Sequence, residues 1–248
     1  MAREEEESVA SQSREAWLAE QIAYHSDLYY NQAKTEISDA DFDTLWDELK
    51  GLNPQHPQLQ RVGAEVDPGT VKVDHMFPMR SLNKGVNDED IAHFVKESSL
   101  ESTRFISQPK LDGSALSLEY RKGRLVRAAT RGNGNRGEDV TKNARKVENV
   151  PHTLGVEVDM HIRGEVVMKK SVFEEKYRNI SPNPRNLAAG ALRQKKADGK
   201  ADASDLVFLA YDAKFPNEAS RHPDSEAPPS DLYDSLILEW LSNTAGVE

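Results

Sequence analysis

The sequence predicts an α+β protein, a helical hairpin module followed by a domain with antiparallel sheets, and three features carry that prediction. The first half-hundred residues place apolar side chains at helical spacing. From about residue 105 the period changes to alternation, with a tight turn at Lys122-Gly123. A stretch rich in proline, glycine and glutamine separates the two regimes. Of the 248 residues, 37% are hydrophobic and 30% charged, a balance that fits a folded chain with a wet surface and excludes a disordered one.

The elements follow in order. Residues 13–30 form a first helix whose apolar positions are Ala16, Trp17, Ile22, Ala23 and Tyr24. A break at 31–36 precedes a second helix, where Ser38 as N-cap and Asp41 three residues on resemble a capping box. Its stripe is Phe42, Leu45, Trp46 and Leu49, and Gly51 with Pro54 ends it. Two helices with a short connector make the hairpin module, 1–55. Residues 56–86 read as an extended linker, and the remaining domain spans 87–248. Within it Asn87 caps a short helix, 88–97. Strands follow at 105–109, 115–120, 125–130, 161–168 and 206–212, with a helix at 185–195 before the last. Residues 214–230, with Pro216, Pro223, Pro228 and Pro229, read as a loop, and Ser230 caps a final helix ending near Asn243.

Composition limits the function. There are no cysteines, which excludes disulfides and thiolate-built zinc sites. No apolar run approaches the roughly 18 residues of a membrane span, and the acidic N-terminus lacks the apolar core of a secretory signal. A cytoplasmic protein with no membrane partner is expected. The net charge of −10 argues against a chain that coats nucleic acid unaided. Between Arg121 and Lys146, however, nine basic residues face only Glu138 and Asp139. Such a run makes either a local phosphate-handling surface or a solvated hairpin face, and charge alone does not separate the two.

Chemistry centres on Lys110-Leu111-Asp112-Gly113, at the end of one expected strand and the start of the next. A lysine becomes a nucleophile when walls or neighbouring cations lower its proton affinity. By itself the tetrapeptide reads first as a structural Asp-Gly turn. Its company decides. Thr130-Arg131-Gly132-Asn133-Gly134 offers backbone N–H groups and a guanidinium to a phosphate or ribose. Glu165, in Arg163-Gly164-Glu165-Val166, is an acid inside a strand and needs a hydroxyl or cation as partner. Arg185 and Arg193 lie eight residues apart, a little over two helical turns, so that both project from nearly one face. Paired guanidinia suit bidentate phosphate binding, though both side chains could equally be solvated.

This set, in this order, resembles the NAD-dependent DNA ligases, from about Glu20 to the C-terminus and most specifically over 108–194. The resemblance implies a nucleotidyltransferase domain of the ATP-grasp-like ligase type with antiparallel sheets. In that family the lysine of K-x-D-G attacks the α-phosphate of NAD, releases nicotinamide mononucleotide (NMN) and becomes lysyl-AMP, used to seal nicks in DNA repair and replication. Lys110 takes that role here. Asp112, Arg131 and Glu165 complete the implied catalytic set, Arg131 and Glu165 with Gln108, Ser81 and Leu82 lining the nucleotide site. Arg185 and Arg193 are implied to bind phosphate or nicked DNA. Tyr29, Asp39 and Asp43 match the helices that contact NMN, although both acids would also complement a helix dipole. Tyr30, Phe42 and Gln108 depart from the histidine, tyrosine and glutamate frequent there, and an amide at 108 accepts more weakly than a carboxylate.

NAD is the implied cofactor, with magnesium at its phosphates and no metal-ligating residue assigned. Nicked double-stranded DNA is the implied partner. The family's later lysine motifs and its further domains do not occur before Glu248. Full sealing is therefore expected to need a second chain or downstream sequence, and the alternative is a module that binds without turnover. An ATP-using relative fits less well, having no need for the first fifty residues.

Overall fold

The computed structural model describes residues 2–31, 34–60, 70–82, 84–97, 107–181, 183–195, 201–216, 241–242 and 247, with the backbone alone for 2–11, 30, 31, 39 and 60. Helix α1 (Ala2–Asn31) packs against α2 (Asp39–Leu52), and the 3₁₀ turn Pro57–Gln60 closes the pair. Ser38 starts α2 as expected. Its hydroxyl accepts from the Asp41 N–H at 3.1 Å, and the Asp41 carboxylate accepts from the Ser38 N–H at 3.3 Å. The pair satisfies donors that a helix start would otherwise leave open.

The seam between the helices is narrower than the sequence suggests. Leu18, Ile22 and Leu49 are fully buried, with Phe42, Leu45, Trp46 and Leu59 around them. Of the expected stripe on α1 only Ile22 reaches this core. Trp17 and Tyr24 are 43% and 49% exposed, because one partner helix covers only one narrow face. Gly51 does not end α2. It lies inside the last turn, and Asn53 is the C-cap.

Strand β1 (Lys72–Asp74) lies in the stretch read as linker, and α3 (Asp88–Glu97) follows, with Asn87 accepting from the Asp90 N–H at 2.8 Å. The expected strand at 105–109 is corrected where it is described. Residues 107–110 are irregular, and 105–106 lie outside the described residues. The extended chain there has no ladder partner, and pairing begins only at β2 (Ser114–Arg121).

β2 turns tightly into β3 (Arg124–Thr130), with φ of +46° at Lys122 and +68° at Gly123. Both residues are left-handed, the geometry that matches strand twist in a two-residue hairpin. β4 (Arg136–Glu138) pairs antiparallel with β1, and the helical turn α4 (Thr141–Ala144) follows. β5 (Met160–Met168) leads into α5 (Lys170–Val172), which continues as a π-turn, Phe173–Tyr177. Helix α6 (Pro184–Arg193) starts on an Asn183 cap with proline in its first turn. β6 (Leu206–Lys214) ends the sheet, running two residues past its expected end.

The main sheet has the order β3-β2-β5-β6, antiparallel throughout. One face is apolar. Leu116, Leu118, Tyr120, Met160 and Ile162 are fully buried there beneath α6, whose Ala188 and Leu192 join the same core. The other face carries Ser117, Glu119, His161, Arg163 and Glu165, in the alternation a pleated strand imposes. Most of the expected loop at 214–230 and the final helix near 230–243 lie outside the described residues.

Candidate active site

The site gathers where the chain enters β2. Gly113 is buried against β5, where a β-carbon would come within 2.2 Å of the Val166 carbonyl oxygen. Only glycine lets the backbone approach so closely. The approach sets Lys110, three residues earlier, beside Glu165 on β5. The Glu165 carboxyl accepts from the Gly113 N–H. Burial pushes it up to about 7, although Lys110, the Gly113 bond and Arg131 each pull it down. Desolvation outweighs two neighbouring cations, so the carboxyl is poised near neutrality. Lys110 is exposed, and its charge acts on Glu165.

Arg131 stands on the loop after β3. That loop is pinned from the β1 side. His75 Nε2 donates to the Thr130 carbonyl oxygen at 3.0 Å, and the His75 and Met79 N–H groups donate to the Asn135 and Gly134 carbonyls, each at 2.8 Å. Burial lowers the His75 imidazole below its ordinary value, and the Thr130 and Arg131 carbonyls, which can only accept, fix the hydrogen on Nε2. The same bonds hold the start of the Pro78–Met79–Arg80–Ser81–Leu82 segment near Arg131. Ser81 and Leu82 are themselves exposed, Leu82 at 79%, and Gln108 is exposed as well.

Arg185 is placed differently from a phosphate ligand pointing outward. Its Nε donates to the Gly113 carbonyl at 3.1 Å and its Nη1 pairs with Asp112 at 3.2 Å. Its guanidinium lies 4.1 Å from the Tyr29 ring centroid. Burial lowers this group to about 10. Arg193, one face of α6 further on, bonds the Ala189 carbonyl of its own helix at 3.3 Å. Asp43 is paired with Lys84. The side chain of Asp39 lies outside the described residues.

Sequence reasoning missed Tyr211 on β6. Burial raises its hydroxyl to about 12, and Glu165, Arg163 and Arg131 all act on it, so it belongs to the same cluster. The alternation of β6, continued past Leu209 on the Glu165 face, is the signal that could have found it. The basic run at 121–146 is also less available than its composition implies. Arg121 and Arg127 clamp Glu119, Arg136 pairs with Asp74, and Arg145 donates to the Leu125 carbonyl at 2.7 Å. Among the described residues no group of three or more His, Cys, Asp or Glu side chains could hold a metal ion. No described helix is long and apolar enough to cross a membrane.

An amine, a half-buried acid and a guanidinium, with a phenol acting on the same acid, are groups that could hold a nucleotide and accept its phosphoryl centre. Comparison with known proteins identifies the family. Residues 69–241 match the model of the NAD-dependent DNA ligase adenylation domain, and 8–64 that of the DNA ligase-like N-terminal NAD+-binding domain. A DNA ligase of Rhodopseudomonas palustris (strain BisA53) is 40% identical over 93% of this chain and 34% of its own length. A DNA ligase of Halothermothrix orenii is 41% identical over 79% of this chain and 32% of its own length. The chain thus spans about a third of the length of these relatives.

Proposed function

The chain belongs to the NAD-dependent DNA ligase family, and on that premise we propose that it carries out the ligase's first step, transfer of AMP from NAD to Lys110. The N–P bond forms as the lysine amine, its proton given up to solvent water, attacks the α-phosphate. The pyrophosphate P–O bond breaks, and its electron pair leaves with NMN. The observation that carries this reading is the Lys110, Arg131 and Glu165 cluster around the Gly113 turn.

Each residue then has a task set by its surroundings. Arg131 neutralises charge gathering on the phosphate, a contribution worth several kcal/mol, of order 3, in enclosed sites. Glu165, half-ionised near neutrality, is suited to accept from a ribose hydroxyl. Asp112 shapes the turn, and Tyr211 offers an aromatic face close by. Ser81, Leu82 and Gln108 line the base. Residues 1–55 receive NMN through Tyr29, Asp39 and Asp43, 56–86 connect, and 87–248 hold the adenylate, in a nucleotidyltransferase fold of the ATP-grasp-like ligase type. Magnesium supplies charge neutralisation at the phosphates. Among the described residues no acidic cluster would cage this ion, and it would be carried by the phosphates of the dinucleotide. Nicked double-stranded DNA in the cytoplasm is the eventual acceptor, with Arg185 and Arg193 on α6 toward phosphate or DNA.

The test is covalent. The chain is incubated with NAD labelled in its adenylate and with magnesium, then run on a denaturing gel. Label on the parent chain that is absent from Lys110→Ala is expected. NAD binding without any label would reduce the chain to a binding module, and label from ATP but not NAD would reassign the donor.

A further inference from the structure

One side chain joins three parts of the molecule. The edge of the Arg185 guanidinium grips the lysine-bearing turn, through the Gly113 carbonyl at 3.1 Å and Asp112 at 3.2 Å. Its face lies on the ring of Tyr29, which comes from α1 and thus from the other end of the chain. A guanidinium is planar with donors only in its plane, so edge contacts and a stacked ring do not compete.

Among the described residues the turn has few other supports. Residues 107–112 make no ladder contact, Gly113 contributes a single N–H to Glu165, and the Asp112 side chain is 77% exposed. An exposed ion pair of this kind holds geometry weakly. A ring laid over the arginine shields it from water and strengthens both edge contacts, because attraction grows as the surroundings become less polar.

We propose that Arg185 is a positioning residue for Lys110, and that Tyr29 makes this positioning depend on the seating of the N-terminal helices. The ring orders the guanidinium, the guanidinium orders the Asp112-Gly113 turn, and the turn sets the Lys110 amine against Glu165 and Arg131. The inference rests on Lys110 being the reactive amine, yet it concerns how that amine is held. It therefore stands or falls separately from AMP transfer.

Competitive acetylation of lysines in the whole chain, read by mass spectrometry over a pH series, tests it without NAD. Lys169, exposed just after β5, serves as the internal reference. In Tyr29→Leu and in Arg185→Lys the relative rate at Lys110 is expected to change by about two- to five-fold, the scale of one cation–π contact. The pH profile of its labelling should move as well. Tyr29→Phe keeps the ring and should match the parent, and the double variant should change no more than the larger single one. Circular dichroism confirms that each variant is folded. Unchanged Lys110 labelling in Tyr29→Leu overturns the proposal even if Arg185→Lys has an effect, since the clasp would then be local to the turn. Loss of AMP uptake with this labelling pattern intact would count against the adenylation reading alone.

Discussion

At the scale of single residues, two acids on one sheet face meet opposite fates. Burial would raise the Glu119 carboxyl, but Arg127 and Arg121 hold it below the usual carboxylate range. At Glu165 burial outweighs the pull of Lys110 and Arg131, and the carboxyl rises to about 7. Its folded value lies above the ordinary 4.5, so the folded chain binds the extra proton between those values. Stability from this group is therefore greatest at acidic pH and falls as pH rises through about 4.5 to about 7. Glu165→Gln is expected to flatten that slope and to be more stable above neutrality, by at most about 3 kcal/mol. Urea midpoints at mildly acidic and mildly alkaline pH check this, and an equal loss at both would contradict it. Glu119→Gln should lose about 1–3 kcal/mol, since it leaves two guanidinia beside a nearly buried amide. The same urea titration, at fixed pH, reads that loss as a lower midpoint.

At the scale of elements, what could be read locally was legible and what needed distant partners was not. The capping box at Ser38, the Asn87 cap and the Lys122-Gly123 turn are settled by neighbours a few residues away, and all three occur as read. Ser38→Ala is accordingly expected to cost about 1 kcal/mol, seen as a lower melting temperature of the hairpin module. β1 and β4 were missed because three residues carry too little alternation, and their pairing spans the chain from Asp74 to Arg136. The expected strand at 105–109 failed for the converse reason, an extended sequence without a neighbour to bond. Gly113 was legible as a turn residue but not as the point of closest approach to β5. Gly113→Ala must push the Val166 carbonyl aside, and a loss of more than about 3 kcal/mol, with Lys110 displaced from Glu165, is the expected result in chemical denaturation and in the labelling assay.

At the scale of the whole molecule, the acidic balance and the pairing of four of the nine basic residues of the 121–146 run leave less of it available to DNA than its composition implies. Binding of nicked duplex by this chain should therefore weaken with salt on a log–log slope shallower than about 4, at roughly 0.9 per phosphate neutralised. A slope near twice that would show that the ion pairs of the 121–146 run open on DNA. The residue types of the site were legible because chemistry limits which side chains can do the work. Their geometry was not, since the strand register and the Tyr29–Arg185 stack depend on tertiary contacts that no local pattern encodes. The β1–β4 ladder has one more consequence. It fastens the Arg131 loop to a segment some sixty positions earlier, with the whole of α3 and the first hairpin enclosed between. Closing so long a loop is entropically slow, and its reward comes only after the β2–β3 hairpin exists. The Arg131 loop should thus acquire its place only once that hairpin has formed.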